Sequence, residues 1–161
     1  MGTSILFVAR EFTDGGAAYL ALRHLRHLAH SHSVDFVVTG ATHPGLVQQL
    51  PKSVSFAALQ IPQQAILHGL QACRESLVRL APPCLQKIYD AVVGTSLFPD
   101  MAASTLFALS RGQRKVLVLL DEGLLVPGLR PDVRAAMTGA IHASDHLAPV
   151  SQALLTRLAL D

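Results

Sequence analysis

The sequence predicts an α/β domain with a Rossmann-like parallel sheet that helices cover on both faces. Short runs of branched and aromatic residues alternate with amphipathic segments of helical period, and no repeat, low-complexity tract or linker interrupts them. Half of the 161 residues are apolar and 15% are charged, a composition typical of globular proteins. The length suits one domain, so we expect residues 1–161 to form a single unit.

The first strand–helix–strand unit shows the pattern most clearly. Residues 4–9 form a short apolar run that ends against a polar loop, and we expect a buried strand there. Residues 17–30 repeat leucine near helical spacing and predict an amphipathic helix. Residues 34–39, closed by Gly40, predict the second strand. A crossover of this kind between parallel strands is right-handed.

The alternation continues to the end of the sequence. Further strands are predicted at residues 54–59, 90–95, 115–120 and 146–150. Further helices are predicted at 46–50, at 63–88 (two helices, or one broken at Pro82-Pro83), at 101–109, at 132–143 and from Ser151 onward. The run Lys115-Val-Leu-Val-Leu-Leu120 is predicted to be the most buried strand.

Charge and motifs exclude several classes of function. A net charge of +2 from scattered basic residues does not favour nucleic-acid binding. The chain has no GxGxxG and no Walker pattern, so neither a nicotinamide dinucleotide site nor a phosphate-cleaving loop is predicted. The opening residues lack a basic leader and a long apolar core, and we expect a soluble cytoplasmic protein. Cys73 and Cys84 lack a metal-ligand spacing and are expected to be buried thiols.

Ligands of open parallel sheets bind at the carboxyl ends of the strands. The loops expected at this edge are residues 10–16, 39–44, 95–100, 121–123 and 151–152. In the first loop, Gly15 and Gly16 stand directly before a helix, whose free amides and dipole favour an anion such as phosphate. The alternative is that both glycines only permit a tight turn between strand and helix.

A pair of carboxylates follows the strand predicted at residues 115–120. Asp121 and Glu122 could face a cleft, where a carboxylate accepts hydrogen bonds from sugar hydroxyls or acts as a base. Alternatively, both acids cap neighbouring backbone amides of the loop. The sequence alone leaves both interpretations open.

Three histidines in the first predicted helix have a spacing that metal sites use. His24, His27 and His30 lie three residues apart, but Arg23 and Arg26 are interleaved with them. Because the arginine charges oppose a bound cation, we interpret this face as solvated and predict no metal site.

Three segments together carry a resemblance to a known family. Residues 5–20 (ILFVAREFTDGGAAYL), 89–95 (YDAVVGT) and 143–151 (ASDHLAPVS) resemble the amino-terminal domain of group 1 retaining glycosyltransferases of the GT-B fold. The similarity in order and spacing covers nearly the whole chain. Each segment is weakly specific, and their order makes the case.

The resemblance implies roles for particular residues. Gly15 and Gly16 would approach the diphosphate of the donor. Asp121 and Glu122 match a His-Glu or similar pair that faces the cleft in the family, and Asp121 replaces the histidine. Ser151 matches a serine after the last strand, ahead of an apolar helix.

The resemblance also implies what the intact protein does. It would transfer a sugar from a nucleotide-sugar donor to a polysaccharide, lipid or small-molecule acceptor, without a metal or a tightly bound cofactor. A second, donor-binding domain would follow residue 161, and the domain alone would be inactive. The high apolar content suits an interdomain face or a lipid-linked acceptor, and a peripheral position at the inner face of the membrane.

Two alternatives stay open at this point. A stand-alone flavodoxin-like binding or regulatory domain would show the same alternation of strands and helices. Half of a nucleotide-sugar epimerase would also share the Rossmann-like architecture.

Overall fold

The computed structural model describes residues 2–80, 83–120 and 126–149. Within them, six strands form one all-parallel sheet in the order 3-2-1-4-5-6, which confirms the predicted Rossmann-like α/β fold. The strands are β1 (Ser4–Ala9), β2 (Ser33–Val38), β3 (Val54–Ala58), β4 (Ile88–Thr95), β5 (Arg111–Leu119) and β6 (His146–Pro149). The helices are α1 (Gly16–Leu28), α2 (Pro44–Val47), α3 (Gln63–Leu67), α4 (Leu70–Leu80), α5 (Pro83–Gln86), α6 (Met101–Leu109) and α7 (Pro131–Ala143).

Most predicted elements are confirmed, and some boundaries differ. β1 and α6 have the predicted bounds. The segment predicted as one broken helix or two contains three helices, α3, α4 and α5. The helix predicted at residues 46–50 instead begins at Pro44, because proline is pre-organised for the first helical position. The helix predicted from Ser151 lies outside the described residues.

One face of the sheet packs against α1 and α2. Phe36 of β2 is fully buried and makes edge-to-face contacts with Phe7 (ring centroids 5.8 Å apart) and Phe12 (5.1 Å). Leu22 and Leu25 of α1 lie in the same core. Aromatic pairs of this geometry stabilise a core beyond their buried area, so this cluster fixes the first strand–helix–strand unit.

The other face carries α4, α6 and α7, with α6 between the other two helices. The α6 residues 101–107 are all buried, so this helix has no solvent face over most of its length. It lies very close to β4, because a Cβ atom added to Gly94 would stand 2.7 Å from the Phe107 ring. A side chain at position 94 would therefore push α6 off the sheet.

The predicted burial of β5 is wrong. The strand begins at Arg111 instead of Lys115, and only Leu117 and Leu119 are buried along it. The most buried strand is β1, in which every residue from Ile5 to Ala9 is buried. The physical reason is position: side chains of β1 enter both cores, whereas only alternate residues of β5 enter one.

A serine inside α6 and the serine that follows the helix predict opposite effects on stability. The Ser104 hydroxyl is buried without a partner among the described residues, whereas the buried Ser110 hydroxyl donates to the Leu106 carbonyl at 2.6 Å. We expect Ser104→Ala to leave the free energy of unfolding unchanged or raise it by up to about 1 kcal/mol, and Ser110→Ala to lower it by about 1 kcal/mol. Urea denaturation measures both free energies of unfolding. A greater loss of stability in Ser104→Ala than in Ser110→Ala would contradict the expected order.

Candidate functional site

The candidate site lies at the carboxyl edge of the sheet, between β1 and β4. These strands are neighbours, but β1 leads into α1 on one face and β4 leads into α6 on the other. Such a change of direction opens a crevice outside the strand ends, and open α/β sheets bind their ligands there. The loop after β1 (residues 10–15) and the loop after β4 (residues 96–100) border this crevice, which we call the switch-point crevice.

Arg10 joins the two loops. Its guanidinium donates from Nη1 to the Phe98 carbonyl oxygen at 3.3 Å and from Nη2 to Oε1 of Glu11 at 2.6 Å. The side chain is 31% exposed, and its Nε is buried without a partner among the described residues. Arginine presents donors in a rigid fork that suits carboxylate and phosphate groups. The guanidinium is thus held between the two loops, and part of the side chain stays exposed.

Asp100 holds the start of α6 at the same place. Its Oδ1 accepts the Ala103 amide at 2.6 Å, as a helix cap does, and lies 3.5 Å from the Thr39 hydroxyl. Burial raises the pKa of the Asp100 carboxyl, while the Ala103 hydrogen bond and the nearby Arg10 guanidinium act in the opposite direction. The end of β2 and the loops after β1 and β4 thus meet around one carboxyl.

The loop after β4 turns sharply before α6. Ser96 adopts a left-handed backbone conformation, with φ of 51°, which non-glycine residues rarely occupy. Leu97 and Phe98, the next two residues, are buried and anchor the loop in the core. The strained turn therefore helps to present the Phe98 carbonyl to Arg10, and strain of this kind is concentrated at functional sites.

Gly15 and Gly16 lie at the amino end of α1, in open space. Gly15 has extended backbone dihedrals (φ 163°, ψ 163°), and a Cβ added at either position would meet no atom within 4 Å. No side chain caps α1, and its first turn contains no acidic residue. Neither the backbone nor the packing therefore requires glycine here, so a tight turn does not account for the pair. The space in front of the helix amides stays open, as a phosphate site requires.

The structure brings some of the predicted site residues to the crevice. Gly15 ends the loop that borders it and Gly16 begins α1, whereas Asp121, Glu122 and Ser151 lie outside the described residues, so their roles stay predictions.

The sequence predicted loops at this edge of the sheet but did not single out Arg10, Thr39 or Asp100. The only local signal was Asp100 itself, an acidic residue directly before the apolar run of α6. The approach of Arg10 to Phe98 spans 88 positions of sequence and follows from the strand order.

Two other kinds of feature, metal clusters and membrane-spanning helices, are absent from the described residues. Within residues 2–80, 83–120 and 126–149, no cluster of three or more histidines, cysteines or acids could hold a metal ion. No helix of the described part has the length and apolar character needed to cross a membrane.

Comparison with known proteins does not add a family. The chain matches no model of a known protein family, and a search of curated proteins finds no significant match.

The carboxyls of Asp100 and Asp90 predict opposite dependences of stability on pH. The raised pKa of Asp100 means that the folded state holds this proton more tightly. The associated stability is fully present below the unfolded pKa of about 4 and is lost as pH rises through the folded pKa. We expect Asp100→Asn, which keeps a helix cap, to gain melting temperature relative to the unsubstituted protein from about pH 3 to about pH 7.

Asp90→Asn provides the matched comparison. Hydrogen bonds from the amide and hydroxyl of Ser4 lower the pKa of Asp90, so its contribution to stability is present above the unfolded pKa and is lost as pH falls through the folded pKa. This variant should lose melting temperature relative to the unsubstituted protein over the same rise in pH. Thermal denaturation at several pH values measures both differences in melting temperature. If the two differences change with pH in the same direction, the pKa directions given for Asp100 and Asp90 are contradicted.

Proposed function

We propose that this chain is the amino-terminal, acceptor-side domain of a retaining glycosyltransferase of the GT-B fold. The observation that carries the proposal is the open amino end of α1, with Gly15 and Gly16, in the loop that also brings Arg10 into the switch-point crevice. The strand order 3-2-1-4-5-6 supports it, because nucleotide-binding halves of this topology use the same crevice.

The diphosphate of a nucleotide-sugar binds at the start of α1 in this proposal. The uncapped helix end presents backbone amides and the positive end of the helix dipole to the phosphates. Glycine at positions 15 and 16 lets the diphosphate approach the backbone without meeting a side chain. Arg10 of the same loop adds a cation whose side chain is partly exposed.

The acceptor binds across the crevice. Asp100 and Thr39 offer a carboxyl and a hydroxyl that suit the hydroxyl groups of a sugar acceptor. Asp121 and Glu122 retain their proposed places facing the cleft. A second domain supplies the remaining donor ligands, so charge that develops during transfer is stabilised from both sides of the cleft, and the domain alone is inactive. The proposal places the protein in the cytoplasm, with peripheral binding at the inner face of the membrane.

The two alternatives differ in their support. Flavodoxin-like domains have the strand order 2-1-3-4-5, which is not the order of this sheet. An epimerase half shares the observed topology, and it differs in chemistry: an epimerase changes the nucleotide-sugar itself and needs no acceptor.

The direct test is product analysis with the full-length protein. We expect a panel of labelled nucleotide-sugars and candidate acceptors to give a glycoside whose anomeric configuration is that of the donor, as NMR of the product would show. A nucleotide-sugar converted without an acceptor would support the epimerase alternative instead. A glycoside of inverted configuration would overturn the retaining mechanism.

The open space at Gly16 predicts a specific loss of donor binding. We expect Gly16→Leu in the full-length protein to weaken nucleotide-sugar binding at least tenfold, because the side chain occupies the phosphate position while meeting no protein atom within 4 Å at its Cβ. Arg10→Met should weaken binding about tenfold or more, through loss of a charged hydrogen bond. Isothermal titration measures both effects.

Gly139→Leu is the matched control for Gly16→Leu. Gly139 lies inside α7, and a Cβ atom there also meets nothing within 4 Å. The Gly139→Leu variant should bind the nucleotide-sugar donor as the unsubstituted protein does. Circular dichroism should show that both leucine variants are folded. Unchanged donor affinity in Gly16→Leu would contradict phosphate binding at the amino end of α1.

A further inference from the structure

β3 is the first strand in the sheet order, and no described strand lies on its outer side. Among the described elements, extensive contacts with β3 come from β2 alone. Ser55 and Ala58 are exposed, whereas Phe56 and Ala57 are half-buried. The outer side of this strand is therefore open to another molecule.

The backbone groups of β3 divide between the two sides of the strand. The Leu59 amide, directly after β3, donates to the Val38 carbonyl of β2 at 2.7 Å, and Val38 is the register partner of Ala58. In a parallel ladder of this register, the odd-numbered residues of β3 carry the hydrogen bonds to β2. The backbone groups of Val54, Phe56 and Ala58 therefore point outward.

Most of these outward groups have no partner within residues 2–80, 83–120 and 126–149. The Val54 amide donates to the Pro51 carbonyl at 2.9 Å. No described group bonds to the amides of Phe56 and Ala58 or to the carbonyls of Val54 and Phe56. Such a row of open donors and acceptors is a template for a further strand.

The side chains of β3 do not protect it from pairing. Natural edge strands usually carry a charged residue, a proline or a bulge, each of which stops another strand from adding. β3 reads Val-Ser-Phe-Ala-Ala, and its register with β2 is uninterrupted. β6, at the other end of the sheet order, contains Pro149. Of the two edge strands, β3 is thus the one suited to accept a partner.

We propose that β3 pairs with β3 of a second copy of the chain, around a twofold axis that passes beside Phe56. A twofold interface brings the same surface of both copies together. Two edge strands related by an axis perpendicular to the sheet run antiparallel. Complete overlap of the five residues of β3 requires that Phe56 lie opposite Phe56 of the second copy.

This register satisfies the open backbone groups. The Phe56 amide of each copy donates to the Phe56 carbonyl of the other, and the Ala58 amide of each donates to the Val54 carbonyl of the other, as in an antiparallel ladder. The Phe56 ring packs on Phe36 of β2, with ring centroids 5.4 Å apart. Both Phe56 rings then lie on the same face of the joined sheet, where cross-strand aromatic pairs add stability.

Charge does not oppose the pairing. Residues 53–62 contain no charged side chain, so no like charges face each other across the strand pair. The nearest charged residue, Lys52, lies opposite the neutral Gln60 of the second copy. A strongly acidic or basic partner would find no complementary charge here, so a second copy fits this strand better.

The pairing leaves the switch-point crevice of each copy free. β1 and β2 separate β3 from the crevice between β1 and β4. The two crevices open in opposite directions, because the paired strands are antiparallel. A strand pair of this length buries less surface than a stable interface does, so we expect a reversible dimer. The inference does not depend on the proposed transferase function, since no crevice residue contributes to it.

The test is sedimentation velocity of the full chain over a range of concentrations. We expect monomer and dimer in exchange, with the dimer fraction rising between about 1 µM and about 100 µM. A chain that stays monomeric at about 100 µM would overturn the proposal. Assemblies that keep growing beyond the dimer would also overturn it, because a twofold contact closes on itself.

Variants of Ala58 identify the strand. Ala58→Pro removes an outward amide that β2 does not use, and should weaken the dimer about 25-fold, from two lost hydrogen bonds of about fivefold each. Ala58→Lys introduces the charge that protects natural edge strands and should also weaken the dimer.

Leu147→Lys is the matched control for Ala58→Lys. Leu147 belongs to β6 and is 43% exposed, so the same charge is added at the other edge strand. This variant should dimerise as the unsubstituted chain does. An unchanged dimer in Ala58→Lys, or a weakened dimer in Leu147→Lys, would contradict pairing through β3. Circular dichroism separates loss of folding from loss of pairing, and Ala58→Lys carries the test if Ala58→Pro does not fold.

Cross-linking tests the register. Ser55 lies opposite Ala57 of the second copy in a pair without direct hydrogen bonds, whose Cα atoms are about 4.5 Å apart, within the range of a disulfide. A mixture of Ser55→Cys and Ala57→Cys chains should therefore form a linked dimer on oxidation with copper–phenanthroline.

Ser55→Cys chains alone should stay unlinked, because the two cysteines lie two residues apart along the strands, beyond about 7 Å. The unsubstituted chain is the control for Cys73 and Cys84, which are buried. Linked dimers of Ser55→Cys alone, or none in the mixture, would contradict the register centred on Phe56.

Discussion

The contact between α6 and β4 at Gly94 is the constraint on which the rest of the structure depends. Because Phe107 would lie 2.7 Å from a Cβ atom at position 94, the helix sits as close to the sheet as glycine allows. Burial of residues 101–107 holds the helix there. The helix start at Asp100 and the preceding Phe98 carbonyl are then fixed relative to β1. The crevice is therefore a consequence of core packing, and its polar groups need little adjustment before a ligand arrives.

The charges of Arg10 and Glu11 offset each other before any ligand binds. Arg10 shares its guanidinium between the Glu11 carboxylate and the Phe98 carbonyl, while burial favours the neutral form of Asp100. Attraction for an anion must then come mainly from the end of α1, whose dipole no acidic residue of the first turn offsets. The end of α1 thus attracts an anion, while the crevice offers polar groups of little net charge. This arrangement suits a ligand that carries phosphates at one end and hydroxyl groups at the other.

The sequence predicted the parts of the fold that local patterns determine. β1 and α6 were predicted to the residue, because an apolar run bounded by polar residues marks both ends of each. The start of β5 was not predicted, because Arg111 and Arg114 are atypical of a buried strand. Both residues belong to the strand because it pairs with β4. The Arg10 to Phe98 contact was also missed, because adjacency of β1 and β4 is a property of the topology.

The two edges of the sheet differ in chemistry for a physical reason. At the carboxyl edge, Arg10 donates to the Phe98 carbonyl and Asp100 accepts the Ala103 amide, so polar groups of the loops are held in place there. At the amino edge, α4 and α6 end with Leu80 and Leu109 near the first residue of β4, and no described element covers these side chains fully. Directed hydrogen-bonding groups for a ligand are therefore gathered at the carboxyl edge, where the switch-point crevice lies.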